Sequence, residues 1–136
     1  MKVNGILNSD ISRVLSYMGH TDRLAIGDCG LPVPEETERI DLALTFGKPS
    51  FMEVLKTVAQ DMRIEGIVLA EEIKKENPEL HDEIQKFFSE CETGFFVKYV
   101  SHQELKEMTK DCKAVIRTGE ITPYANIILQ SACIFA

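Results

Sequence analysis

A histidine and a carboxylate flank one short apolar run near the amino terminus. Met18-Gly19-His20-Thr21-Asp22 leads into Leu24-Ala25-Ile26-Gly27, and Asp28-Cys29-Gly30-Leu31-Pro32-Val33-Pro34 follows it. An imidazole, with an ordinary pKa of about 6.5, both takes and gives protons near neutral pH. A carboxylate accepts only, so Asp28 could hold two hydroxyls or orient the imidazole. Near the other terminus, Thr118-Gly119-Glu120-Ile121-Thr122-Pro123-Tyr124-Ala125 leads into Asn126, setting an aromatic hydroxyl and a carboxamide two residues apart. The carboxamide carries both a donor and an acceptor, and the aromatic ring adds a hydroxyl and an apolar face. Proton transfer next to hydroxyl recognition is the chemistry these types support.

The elements that must hold these groups alternate. Asn8, Ser9 or Asp10 can cap a helix whose apolar face is Ile11, Val14, Leu15 and Met18, with Gly19 as its stop. His20 then sits just past a helix end, and residues 24–27 are long enough only for a buried strand. Residues 40–44 are a second strand candidate. Ser50-Phe51-Met52-Glu53 has the form of a capping box and opens a helix to about 61; residues 63–70 read as a central strand. A short charged helix covers 71–76. Asn77-Pro78 restarts the helix, with Asn77 as cap, to about 91. A strand at 95–100, a helix opened by the capping box Ser101-His102-Gln103-Glu104 and running to about 111, and strands at 114–117 and 126–130 complete the chain. This alternation predicts a layered α/β sandwich with a largely parallel central sheet and Rossmann-like order. On such sheets ligands gather at the carboxyl ends of the strands, where Asp28 falls.

Composition narrows the function classes. The chain has 136 residues, room for a single domain over 1–136, and no linker-like stretch divides it. Acidic residues outnumber basic ones, 22 to 15, and the cations form no stripe, so nucleic acid is not an expected partner. No segment approaches a membrane span and no leader is visible, so a cytoplasmic protein is expected. Cys29, Cys91, Cys112 and Cys133 form no Cys-x-x-Cys pair and read as small apolar residues.

Taken together and in order, the motifs resemble the D-ribose pyranase family, over essentially the whole chain. They are Asn8-Ser9-Asp10-Ile11, Gly19-His20-Thr21-Asp22, Asp28-x-Gly30-Leu31-Pro32-x-Pro34, Arg39-Ile40-Asp41-Leu42-Ala43-Leu44, Pro49-Ser50-Phe51, Ala70-Glu71-Glu72-Ile73 and Gly119-Glu120-x-x-Pro123-Tyr124-Ala125-Asn126-Ile127. The resemblance implies an isomerase that interconverts the pyranose and furanose forms of D-ribose and supplies the furanose to a ribokinase. It implies no metal and no redox cofactor. It also implies a homodecamer of two stacked pentameric rings, with the sugar near a junction between subunits. Carried over, it makes His20 the acid/base residue, and Asp28, His102, Tyr124, Ala125 and Asn126 the sugar contacts. The residue types suit that reaction. Opening a hemiacetal takes a proton from the anomeric hydroxyl and gives one to the ring oxygen, and a positioned acid/base contributes ~10²–10⁴ in rate, roughly 3–5 kcal/mol.

Each residue also has a purely structural reading. His20 past a helix end suits a surface residue favoured by the helix dipole, Asp28 a loop-capping residue, and Tyr124 a core aromatic whose hydroxyl reaches solvent. His102 suits an exposed neighbour of its capping box, and His81 a solvated helix position. Glu71 and Glu72 read as a solvated helix start, and Phe87-Phe88 and Phe95-Phe96 as core or subunit contacts. Two other functions compete. An L-fucose-type sugar mutarotase shares the histidine and a tyrosine-asparagine pair, but resembles a Tyr-Gly-Asn pattern without the Gly-Leu-Pro-x-Pro loop. A non-catalytic sugar-binding protein would need Asp28 and Asn126 but no titrating His20.

Overall fold

A computed structural model describes residues 1–135. The first helix, α1 (Ser9–Tyr17), starts where the Asn8 side chain accepts the Ile11 N–H, satisfying a donor that a helix start leaves open. It ends through an extended Met18, so Gly19 supplies no left-handed cap. The apolar run becomes β1 (Arg23–Gly27), and β2 (Glu38–Asp41) follows. β2 starts and stops earlier than the sequence suggests. The Asp41 side chain accepts the Ala43 N–H and turns the chain out of the sheet, leaving Leu44 exposed.

α2 (Phe51–Ala59) carries both hydrogen bonds of its Ser50 and Glu53 capping box. β3 (Ile64–Ala70), the one-turn α3 (Ile73–Glu76) and α4 (Pro78–Phe87) come next. The expected cap at Asn77 takes a different role: its side chain makes no bond to the helix start and instead donates to Thr122 Oγ1 and the Pro123 carbonyl. α4 also stops short of Cys91, which is exposed. His81 is not merely solvated, since its Nε2 lies 2.6 Å from the Tyr99 hydroxyl. β4 (Phe96–Val100) leads into α5 (His102–Met108), capped by the Ser101 hydroxyl, and a 3₁₀ turn over Thr109–Asp111. β5 (Ala114–Arg117) and β6 (Ile127–Ser131) end the sheet.

The six strands lie in the order β2-β5-β1-β6-β3-β4. β2, β5 and β1 are mutually parallel, as are β3 and β4, while β6 is antiparallel to both β1 and β3. The expected, largely parallel sheet is therefore present, with one reversed strand at its centre. Period-two alternation sends Leu24, Ile26, Ile67, Leu69, Ile127 and Leu129 to one face, against α1, α2 and α4. Ala25, Val68 and Ile128 face the other side, against Leu105 of α5 and Leu31. Among the described residues no helix is long and apolar enough to cross a membrane.

Two predictions follow from the packing. A Cβ on Gly66 would fall 2.1 Å from the Phe96 ring, and overpacking of this kind costs ~1–3 kcal/mol. Gly66→Ala should lower the urea midpoint at unchanged slope; an unchanged midpoint would mean that Phe96 swings clear. Burial pushes the Cys112 thiol up to about 12, so at neutral pH it should resist a thiol-specific disulfide reagent until the chain unfolds, whereas exposed Cys91 reacts in the native protein.

Candidate active site

Because β6 runs backwards, its amino-terminal end meets the carboxyl ends of β1, β3, β4 and β5. Asp28, His102, Tyr124, Ala125 and Asn126 all fall along that edge. Asn126 is fully buried, and its Oδ1 accepts the Asp28 N–H at 3.0 Å. Gly27 makes room for this contact, since a Cβ there would lie 3.0 Å from Asn126 Oδ1 and 2.5 Å from Leu31. Asp28 Oδ1 accepts the Gly30 N–H at 2.9 Å, so the loop-capping role is filled, while Oδ2 takes no hydrogen bond from any described residue. His102 and Tyr124 meet edge to face, their rings 5.0 Å apart. Two polar atoms here are buried without a partner among the described residues, His102 Nδ1 and Asn126 Nδ2. An unpaired buried polar group costs about 1–3 kcal/mol, so both atoms are available to a hydrogen-bonding partner from outside the chain. Ala125 is fully buried among apolar side chains, which leaves only its backbone to meet such a ligand.

The loop carrying Tyr124 is tied down on several sides. The buried Thr118 hydroxyl donates to the Gly27 carbonyl at 2.8 Å and accepts the Glu120 N–H at 3.1 Å. Glu120 Oε1 accepts the Phe51 N–H at the start of α2, at 2.9 Å, and Oε2 accepts from the Thr122 hydroxyl. Gly119 packs against the Lys48 carbonyl, where a Cβ would be 2.3 Å away. The Asn77 amide holds Thr122 and Pro123 from the α3–α4 corner. These bonds keep Tyr124 at φ 57°, in the left-handed region. Glu72 is not simply a solvated helix start: both its oxygens accept the His102 N–H, at 3.0 and 3.1 Å, and so fix the start of α5. Glu71 is exposed and pairs with Lys74.

His20 stands elsewhere. It precedes β1, so five residues of strand at about 3.3 Å each separate it from the Asp28 edge. Its surroundings are the amino end of β3 and the carboxyl end of β6, in a cleft of about 390 Å³ lined also by Arg63, Glu65, Glu92, Phe95 and Cys133. The turn that carries it is built from the Asp22 side chain accepting the Gly19 N–H, at 2.9 Å, and from Thr21 held at φ 72°. The imidazole Nε2 lies 2.9 Å from Glu65 Oε1. The other Glu65 oxygen accepts from the Gln130 amide at 2.6 Å, and these two bonds, Gln130's first, hold the Glu65 carboxyl below its ordinary value. Within one chain, then, the sugar-contact candidates are gathered and the acid/base candidate is at the opposite edge.

Sequence reasoning misses Glu65 and Gln130, and reads Glu72 chiefly as a solvated helix start while leaving a site role open. Glu65 lies in an otherwise apolar strand and Gln130 at the end of another; no local motif links them. Glu72 had a visible cue, its place directly after a central strand.

Comparison with known proteins agrees over the full length. The profile of the RbsD / FucU transport protein family matches residues 1–134. A D-ribose pyranase of Clostridium perfringens is 53% identical over 99% of this chain and 100% of its own. One of Staphylococcus haemolyticus is 54% identical over the same shares. The structure of Bacillus subtilis RbsD complexed with D-ribose superposes with a TM-score of 0.93 at 47% identity, covering 99% of this chain and 100% of that one. A fucose mutarotase from Streptococcus pneumoniae, in complex with L-fucose, shares the fold at a TM-score of 0.80 and 20% identity, with 94% of each chain covered.

The loop's central tie is testable. Thr118→Val keeps the volume but leaves the Glu120 N–H without its acceptor and the Gly27 carbonyl with the Thr118 N–H but no hydroxyl donor, which should cost about 1–3 kcal/mol in denaturant unfolding. An unchanged midpoint would show that the loop is held without it.

Proposed function

We infer from two facts, that this chain belongs to the RbsD / FucU transport protein family and that D-ribose pyranases match it from end to end, that the protein is an isomerase of D-ribose. It interconverts the pyranose and furanose forms of the sugar by ring opening and reclosure. The observation that carries this conclusion is the 53% identity to a D-ribose pyranase over 99% of the chain.

The residues fit the steps. A base takes the proton of the anomeric hydroxyl as the C1–O5 bond breaks, and an acid protonates the departing ring oxygen, giving the open-chain aldehyde. O4 then attacks C1 and loses its proton while the carbonyl oxygen gains one. The two forms are isomers, so no net proton or electron is consumed. His20, half exposed in its cleft, is the group we assign to this traffic. Asp28 Oδ2 and the orphaned Asn126 and His102 nitrogens are assigned to sugar hydroxyls, Tyr124 to the sugar's C–H face, and Ala125 to a backbone contact.

The separation of His20 from those groups supports a site completed between copies: His20 of one protomer reaching the Asp28 edge of another. Exposed apolar side chains, among them Leu44, Phe46, Ile121, Ile134 and Phe135, are the surface such contacts would cover. We propose the homodecamer of two stacked pentamers that the family resemblance implies, with residues 1–136 acting as one domain in each copy. A furanose destined for a ribokinase is needed where that kinase works, so a cytoplasmic location is proposed too.

Magnetisation exchange between pyranose and furanose anomeric NMR signals tests the reaction. The parent should accelerate exchange, and His20→Ala should lose about 10²–10⁴ of that acceleration; binding without acceleration by the parent would instead indicate a sugar-binding protein. Mixing tests the shared site. His20→Ala and Asp28→Asn, each nearly inactive alone, should regain activity when unfolded and refolded together, because some junctions then pair an intact His20 with an intact Asp28. No regain would overturn the site shared between protomers.

A further inference from the structure

Glu65 reaches His20 through an irregularity in the sheet. β3 pairs with β6 through Ile64 opposite Ser131 and then Gly66 opposite Gln130, which leaves Glu65 as an extra residue with no opposite number. This is a β-bulge, and bulges re-aim side chains. Counting back by twos from Leu69 and Ile67, a regular strand would send Glu65 into the larger apolar cluster to which both belong. Ile64 packs against that cluster instead, and Glu65 turns to the opposite face beside Gln130. There a chain of hydrogen bonds fixes it. Arg23 Nε donates to Gln130 Oε1 at 3.2 Å, Gln130 Nε2 donates to Glu65 Oε2 at 2.6 Å, and Glu65 Oε1 faces His20 Nε2 at 2.9 Å. Arg63, the cation of the same cleft, is taken by Glu92 and does not compete for Glu65.

Stability alone is a weak reason for this arrangement. The His20 side chain is 51% exposed, and solvent-exposed ion pairs add little to folding. The geometry instead constrains which nitrogen does chemistry. An ionised carboxylate only accepts, and the bonds from Gln130 and His20 keep Glu65 ionised, so the ring nitrogen facing it carries the hydrogen. The other nitrogen is left with its lone pair in the neutral ring.

We propose that Glu65 is the positioning residue of His20: it fixes the Nε2–H tautomer and leaves Nδ1 as the nitrogen that exchanges protons with the sugar, with Gln130 as its brace. The proposal rests on the reading of His20 as the acid/base group. When Nδ1 takes the anomeric proton the ring becomes a cation beside the Glu65 carboxylate, and when it returns a proton to the ring oxygen the original tautomer is restored. Nothing is consumed in the cycle, and Glu65 touches no reacting atom.

The test combines ¹⁵N NMR of the histidines with exchange kinetics. In the parent, at a pH where His20 is neutral, its Nε2 should resonate as a protonated nitrogen and Nδ1 as an unprotonated one. In Glu65→Ala the two should average towards a mixture. Glu65→Ala and the isosteric Glu65→Gln should lower kcat about 10- to 100-fold, within the range an acid/base group contributes, with KM nearly unchanged. In a His20→Ala background, Glu65→Ala should cost nothing more. A parental tautomer in Glu65→Ala, an unchanged kcat in both variants, or a further loss in the His20→Ala background would each overturn the proposal. If His20→Ala itself keeps the parental rate, the acid/base reading has failed and the catalytic part of the proposal falls with it. The tautomer measurement still reports on the Glu65 contact separately.

Discussion

β6 is hydrogen-bonded on both flanks to strands that run the other way, and both candidate ends of the chemistry hang from it. Ile127 pairs with Ile26 on one side and Leu69 on the other, and it is fully buried, as are Ile128 and Leu129. A strand held this way cannot slip by one residue without turning its apolar positions from one packed face to the other. Its register therefore fixes two polar side chains at a set separation. Asn126, just before the strand, is held against the Asp28 backbone, and Gln130, near its far end, is held against Glu65. Had β6 run parallel to its neighbours, the Tyr124-Ala125-Asn126 segment would enter the sheet at the opposite edge from Asp28.

The carboxyl edge is stiff because its loops hold one another. Glu120 accepts an amide at the start of α2, Glu72 accepts one at the start of α5, and Asn77 spans from the α3–α4 corner to Thr122 and Pro123. Apart from the Asn77 bond to the Thr122 hydroxyl, each satisfies a backbone group that a helix end or a loop would otherwise leave open. Acidic side chains set against helix starts thus serve as struts, while Asp28 Oδ2, His102 Nδ1 and Asn126 Nδ2 are left without partners among the described residues. A prearranged set of donors and acceptors binds a small polyol with little ordering cost at the moment of encounter.

Local chemistry made much of this legible in the sequence. The caps at Asn8, Ser50 and Ser101 and the apolar spacing of α1, α2 and α4 are short-range signals, and they placed the helices correctly. β2 was displaced because the Asp41 turn competes with the apolar pattern of Leu42-Ala43-Leu44. Asn77 and His81 were misread because their partners, Thr122 with Pro123 and Tyr99, lie far along the chain. At the carboxyl edge, Asp28, Tyr124 and Asn126 are legible as candidates from their residue types and spacing, whereas His102 and Ala125 enter only through the family resemblance. Part of their distance from His20 is legible too, since the strand candidate at 24–27 lies between His20 and Asp28; that His102 and Asn126 share the Asp28 edge is not, because it depends on the order and direction of strands, which no local pattern encodes. The bulge at Glu65 is hidden for the same reason: it exists only relative to β6.

Among the described residues, the two non-glycine ones held at positive φ, Thr21 and Tyr124, lie next to His20 and within the candidate sugar-contact segment respectively. For side chains of this size such a conformation costs on the order of 1–3 kcal/mol, which is a sizeable part of a domain's margin over unfolding. Anyone seeking a more heat-resistant version would be drawn to these positions, because glycine relieves the steric clash. The same substitution would widen the range of angles from which the neighbouring imidazole or hydroxyl is presented. Thermal endurance and the aim of the candidate groups therefore meet in conflict at these two residues, and directed selection for one alone should erode the other there first.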